Sequence, residues 1–275
     1  MYKLAATDLS TMYFTPLRQD NSDVALTGFL DAPARLGDTY YSWASEDGFE
    51  PYVSAADIAS GGFGGRDLSL IGVVQGASES ETRNRVEAIH KLIDGFSDLV
   101  PLVTDYGTFQ VYVNGMIAGD YLSEKGIKVT IPMREPVVNM SGTVPKGNGA
   151  AVGIDGISFE QLGGACLYLN GDKYSRAAPK SADITAYGKE AYAIARKEAS
   201  VLDLRMAIRT NTYPELKTKV TSLMALFNSP GMRAVTAPGD KTRSVFAKDG
   251  FSVSMIHLTG EFCACVIDCK LIEKR

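Results

Sequence analysis

The sequence predicts an α+β protein of two tandem, similar domains, each a mostly antiparallel sheet covered by one helix. Three observations predict it. A strand–helix–strand order occurs twice, a helix-start signature stands at the same place in both copies, and a stretch rich in glycine and small residues separates them.

The first copy reads LSLIGVVQGASESETRNRVEAIHKLIDGF from Leu68, and the second reads LDLRMAIRTNTYPELKTKVTSLMALFNSP from Leu202. Aligned without a gap, Leu68 meets Leu202, Leu70 meets Leu204, Glu81 meets Glu215 and Val86 meets Val220. Further along, VTDYG (Val103–Gly107) matches VTAPG (Val235–Gly239), and upstream AADI (Ala55–Ile58) matches SADI (Ser181–Ile184).

Each copy opens on apolar alternation, the signature of a half-buried strand: Leu68 and Leu70, then Leu202, Leu204 and Met206. Ser78 with Glu81, and Thr212 with Glu215, have the spacing of a capping box, and Pro214 suits a first helical turn. The stripes Val86, Ile89, Ile93, Phe96 and Leu216, Val220, Leu223, Phe227 predict amphipathic helices. Short strands follow in PLVTDY, TFQVYVNG, RAVTAP and SVFAKDGFSVSMI. Long strands, GIKVTIPM and EFCACVIDCKLI, close the two halves. The stretch Val137–Gly153 lacks apolar periodicity and reads as a linker. The expected division is therefore a first domain over 1–136, a linker over 137–153 and a second domain over 154–275.

With 275 residues, 45% hydrophobic and 22% charged, the chain has the composition of a soluble globular protein. No apolar run approaches the roughly 18–20 residues that span a bilayer, so no membrane partner is expected. The N-terminus carries Asp8 and no apolar core of a signal peptide, which predicts folding in the cytoplasm where the chain is made. Charge is unevenly spread. Residues 1–139 hold 10 basic and 19 acidic side chains, a net of −9, and residues 140–275 hold 18 and 13, a net of +5. A basic second half admits nucleic-acid binding, although its cations are scattered, and opposite halves also suit head-to-tail contact between copies.

The cluster Gly61, Gly62, Gly64, Gly65 raises the question of a phosphate cradle. Such loops follow a strand and open a helix, whereas these glycines precede a strand and are closed by Arg66 and Asp67. They read better as the end of a long excursion between Asp31 and Arg66. Its aromatics, Tyr40, Tyr41, Trp43, Phe49 and Tyr52, suit packing on a neighbouring copy and on their own domain equally. Cys263, Cys265 and Cys269 would share one face of a strand with Ile267, so they read as core residues rather than as a zinc site. Cys166 stands alone. His90 aligns with Met224 and reads as a core or boundary residue, and His257 falls in a late strand. The carboxylate pairs Glu79/Glu81 and Glu46/Asp47 lie in polar turns and read as solvated. No nucleophile elbow, zinc-protease helix or calcium loop is present, and no catalytic, cofactor-binding or metal-binding residue is assigned.

Residues 66–117 resemble the N-terminal domain of phage distal tail proteins, in which a strand of form R-x-I-x-I-x-G is followed by a Ser/Glu-rich turn, a helix and an aspartate–tyrosine hairpin. The matching positions are Arg66, Leu68, Leu70 and Gly72, then Ser78–Phe96, then Val103, Asp105 and Tyr112. DGISFEQLG, from Asp155, is similar to the opening segment of such domains. The resemblance implies a β-sandwich or split barrel flanked by one helix, related to tail-tube proteins. It also implies a non-enzymatic role in a tail tip or baseplate, without cofactor. The implied partners are copies of the chain itself in a ring, other tail proteins such as tube or hub proteins, and DNA only as passing cargo. The implied location is the virion tail, assembled in the host cytoplasm. Usual distal tail proteins often carry an unlike, carbohydrate-module-type second domain, and here a second tube-like domain stands in its place. A ring could then be a trimer with pseudo-sixfold symmetry as well as a hexamer. The competing expectation is a cofactor-binding, flavin-type enzyme on a split-barrel scaffold.

Overall fold

A computed structural model describes residues 1–19, 21–36, 40–41, 50–51, 62–170, 179–186, 189–197 and 200–274. The first half supplies strands β1 (Tyr2–Leu4), β2 (Thr7–Asp8), β3 (Phe14–Pro16), β4 (Leu26–Thr27), β5 (Tyr40–Tyr41), β6 (Glu50–Pro51) and β7 (Arg66–Gln75). Helix α1 (Glu79–Asp94) and strands β8 (Val100–Thr104), β9 (Gly107–Val113), β10 (Ala118–Ser123) and β11 (Gly126–Glu135) complete it. The second half runs β12 (Gly153–Ile154), β13 (Gly164–Asn170), β14 (Pro179–Ala186), β15 (Lys189–Lys197), β16 (Ser200–Thr210) and α2 (Tyr213–Asn228). It ends with β17 (Arg233–Thr236), β18 (Arg243–Phe246), β19 (Phe251–Leu258) and β20 (Cys263–Lys274). The class is α+β, with mostly antiparallel sheets in both halves, as the sequence predicts.

The two sheets have the same strand order. The nine-stranded one runs β2-β1-β8-β9-β11-β7-β3, with β10 beside β11 and β4 beside β7. The seven-stranded one runs β12-β17-β18-β20-β16-β13, with β19 beside β20. In each half a separate two-stranded ribbon, β5-β6 or β14-β15, precedes the long central strand. Registers agree as well. Leu4 pairs with Leu102 as Ile154 pairs with Val235, so Leu102, rather than the Val103 of the VTDYG–VTAPG match, stands at the position of Val235. Val100 pairs with Val111 as Arg233 pairs with Val245, and Phe14 pairs with Val74 as Gly164 pairs with Ile208. Because a one-residue slip would turn every side chain to the other face, such agreement fixes the same core positions in both sheets.

Alternation explains the long strands. Leu68, Leu70 and Val74 of β7 are buried, as are Leu202, Leu204, Met206 and Ile208 of β16. At one place the volume is redistributed. A Cβ on Gly72 would lie 2.2 Å from the Phe14 ring, so the glycine admits the aromatic of the neighbouring strand. In the second sheet the glycine is Gly164, in the neighbouring strand, and the buried Met206 stands at the position of Gly72. Both helices begin as their sequences indicate. The Ser78 hydroxyl accepts the Glu81 N–H at 3.3 Å, and Thr212 caps Glu215 in the same way.

The helices differ in depth. In α2 the whole stripe Leu216, Val220, Leu223, Phe227 is buried, together with Met224 and Leu226. In α1 only Thr82, Ile89 and Ile93 are buried, and Val86 and Phe96 of the expected stripe are half-buried. The polar side chains Arg83, Glu87 and Lys91 pair along the helix surface and leave that face to solvent, while Arg85 pairs with Glu81 and stacks on the Tyr13 ring.

By backbone proximity the chain divides into two units, one of residues 1–33, 64–139 and 253–265, the other of residues 34–63, 140–252 and 266–275. Within the first unit, Asp23 N–H donates to the Ile256 carbonyl at 2.7 Å and the Ser22 hydroxyl accepts the Ile256 N–H at 3.1 Å. The stretch 137–153 has little regular structure. Within the second unit its Met140 is buried, and a Cβ on Gly142 would meet the Thr221 carbonyl oxygen at 2.6 Å, so this segment lies directly on α2.

Candidate functional site

The glycine cluster precedes a strand, as its sequence implies; Gly61 lies outside the described residues. A Cβ on Gly65 would come within 2.4 Å of the Glu135 carbonyl oxygen, so the glycine serves the close approach of two backbones. The residues that follow it are occupied. Arg66 forms an ion pair with Glu135 at 2.7 Å, both about nine-tenths buried, and Asp67 pairs with Arg134 at 2.7 Å. Their register partners are these same residues, so the charges tie the end of β7 to the end of β11. Trp43, Phe49 and Tyr52 of the excursion, and the AADI segment, lie outside the described residues.

Cys263, Cys265 and Cys269 are buried on one face of β20 with Ile267 and Leu271, as the alternation predicts. Burial pushes the Cys265 thiol up to about 12 and raises that of Cys269, whose sulfur donates to the Gly250 carbonyl at 3.3 Å. These are poor nucleophiles and poor metal ligands, since both roles need the thiolate. Among the described residues no group of three or more His, Cys, Asp or Glu is placed to hold a metal. His257 Nδ1 lies 3.3 Å from Asp23 Oδ2. Glu79 and Glu81 lie at the solvated start of α1, paired with Arg83 and Arg85 at 2.5 Å, while Glu46 and Asp47 lie outside the described residues.

Two places stand out at the C-terminal ends of the helices. In the second unit, Arg35 is 6% exposed and donates to three backbone carbonyls: Nη2 to Phe227 at 2.7 Å and Asn228 at 3.3 Å, and Nε to Ala247 at 3.2 Å. The Phe63 and Phe246 rings lie 4.6 and 5.1 Å from its guanidinium. Burial, with the Arg233 charge nearby, lowers its pKa to about 10, so it stays cationic at neutral pH. A cation among the last carbonyls of α2 complements the negative end of the helix dipole. Arg35 is not legible as a site residue in the sequence. Its acceptors lie about 200 positions away, and a lone arginine in DAPARLGD carries no local signal.

In the first unit, the corresponding end of α1 borders a cleft of about 840 Å³. Its walls include the polar His90, Asp94 and Asp98 and the apolar Leu99, Tyr112 and Ile117. Leu99 and Tyr112 are 41% and 39% exposed, and the neighbouring Met116 is 83% exposed, an unusual cluster for a water-facing rim. The terminal turn is closed by backbone, with the Phe96 N–H donating to the Ile93 carbonyl at 3.0 Å. Carboxylates, a helix C-terminus and an apolar floor together suit a cationic side chain with a long aliphatic stem. His90 thus sits at a boundary, as expected, but the cleft itself was not legible from its position alone.

No protein-family model matches the chain, and no curated protein matches it. Among solved structures it is similar to the crystal structure of the SPP1 Dit (gp 19.1) protein, described as a paradigm of the hub adsorption apparatus in phages that infect Gram-positive bacteria. The identity is 11%, the TM-score is 0.36, and 98% of each chain is covered.

Proposed function

We propose that the chain is a non-enzymatic structural component of a phage or prophage tail, placed at the tail tip or baseplate. In this reading it is a duplicated tail-tube-like building block, with a first domain over 1–136, a linker over 137–153 and a second domain over 154–275. Three chains form a pseudo-sixfold ring around the DNA channel, with other tail proteins above and below. The observation that supports the reading is the agreement of strand order and register between the two sheets, as a duplicated building block requires. The distal-tail-protein pattern of Arg66–Tyr112 points the same way. The acidic first half and basic second half supply complementary sides for a heterologous contact that closes on itself.

Negative-stain microscopy of the concentrated protein tests this. Annular particles with an open centre are expected, and their sedimentation should shift toward the monomer as salt is raised. A chain that stays monomeric at high concentration and low salt would overturn the ring. A flavin-like absorbance spectrum from the purified protein would instead favour the enzyme alternative.

A further inference from the structure

We propose that the cleft at the C-terminal end of α1 is the docking site for the β14-β15 ribbon of a second copy of this chain, with a lysine or arginine of that ribbon set between Asp94 and Asp98. The proposal deepens the ring reading and rests on it.

The reasoning starts from the occupied counterpart. In the second unit the C-terminal end of α2 is filled by Arg35, which belongs to the segment leading into the first half's ribbon. The first unit has an equivalent helix, starting from an equivalent cap, and its C-terminal end is an open cleft. The second half has an equivalent ribbon, β14-β15, between the same two strands in chain order. If each ribbon region serves the next helix around a closed ring, the flank of β5-β6 serves α2 through Arg35 and β14-β15 serves the α1 of another copy. Charge agrees with that assignment. The two ribbon strands carry Lys180, Lys189, Arg196 and Lys197 against Asp183 and Glu190, whereas the cleft offers Asp94, Asp98 and the negative end of α1. The exposed Leu99 and Tyr112 of the lining, with Met116 next to the lining Ile117 in the chain, supply apolar surface that a neighbouring strand pair would cover.

The test uses the full chain. Asp94→Lys is expected to raise the concentration for half-assembly about tenfold or more, with an unchanged circular dichroism spectrum and melting temperature. Independently, a photoreactive benzoylphenylalanine at Tyr112 in a mixture of ¹⁵N-labelled and unlabelled protein is expected to cross-link to β14 or β15 of the other isotope. Rings in the wild type together with unchanged assembly of Asp94→Lys, or with cross-links that fall elsewhere, overturn this inference and leave the ring reading standing. A wild type that never assembles overturns both.

Discussion

Helices α1 and α2 have the same length and the same kind of cap, and they follow equivalent strands, yet one is half bare and the other is enclosed. The difference lies in what comes from elsewhere. Helix α2 carries Met140 and Gly142 near its flank and Arg35 at its end, all within one compact unit. Helix α1 has solvent-facing ion pairs along one side and a cleft at its end. Like scaffolds therefore acquire unlike surfaces from segments far away in sequence.

The sharpest way to break this comparison is to truncate the same residue in both helices. Leu226 is 2% exposed, and its counterpart Leu92 is half-buried. Leu226→Ala should cost about 3 kcal/mol in urea unfolding and Leu92→Ala about 1 kcal/mol. Equal losses would mean that α1 is as enclosed as α2. A smaller effect is expected at the helix ends. Arg35→Met keeps the stem but leaves three carbonyls without their charged donor, at a cost of about 2 kcal/mol. Lys91→Met, at an exposed ion pair with Glu87, should change stability by less than about 0.5 kcal/mol.

A separate, pH-dependent effect concerns the first unit, where the Asp31 carboxylate accepts the Val253 N–H at 2.7 Å. Burial raises its pKa from 3.8 to about 6, against the pull of that hydrogen bond and of Arg66. Since the folded state holds the proton more tightly than the unfolded chain, this contribution is full below pH 3.8 and is lost as pH rises through 6. The wild type should lose on the order of 3 kcal/mol across that window relative to Asp31→Asn, in which the pH dependence of that step vanishes. Parallel curves for the two proteins would remove Asp31 from the account.

Much of the fold is legible in local chemistry. The Ser78/Glu81 and Thr212/Glu215 boxes mark both helix starts, and apolar alternation marks β7, β16 and the cysteine face of β20, because these signals need only neighbours in sequence. The chain openings are harder to read. Strands β1 and β12 are two or three residues long, and the turn after Leu4 runs through Ala5 at φ 53° without a glycine to announce it. The equivalent turn, through Asp155 and Gly156, is the only one of the pair with a recognisable hairpin signal. The half-burial of Val86 and Phe96 was not foreseeable either. An amphipathic stripe states which face is apolar, and the rest of the chain decides how much of that face is covered. The cleft is a void between α1 and the β9–β10 turn, and no run of residues spells out a void.

The buried thiols of β20 give this molecule an internal gauge of its own opening. With Cys265 pushed up to about 12, a thiol-modifying reagent at neutral pH meets almost no reactive sulfur there while the strand stays zipped into its sheet. Labelling at Cys263, Cys265 and Cys269 therefore counts how often the last strand of the chain comes loose. It does so without any engineered probe and under the same conditions in which assembly is watched.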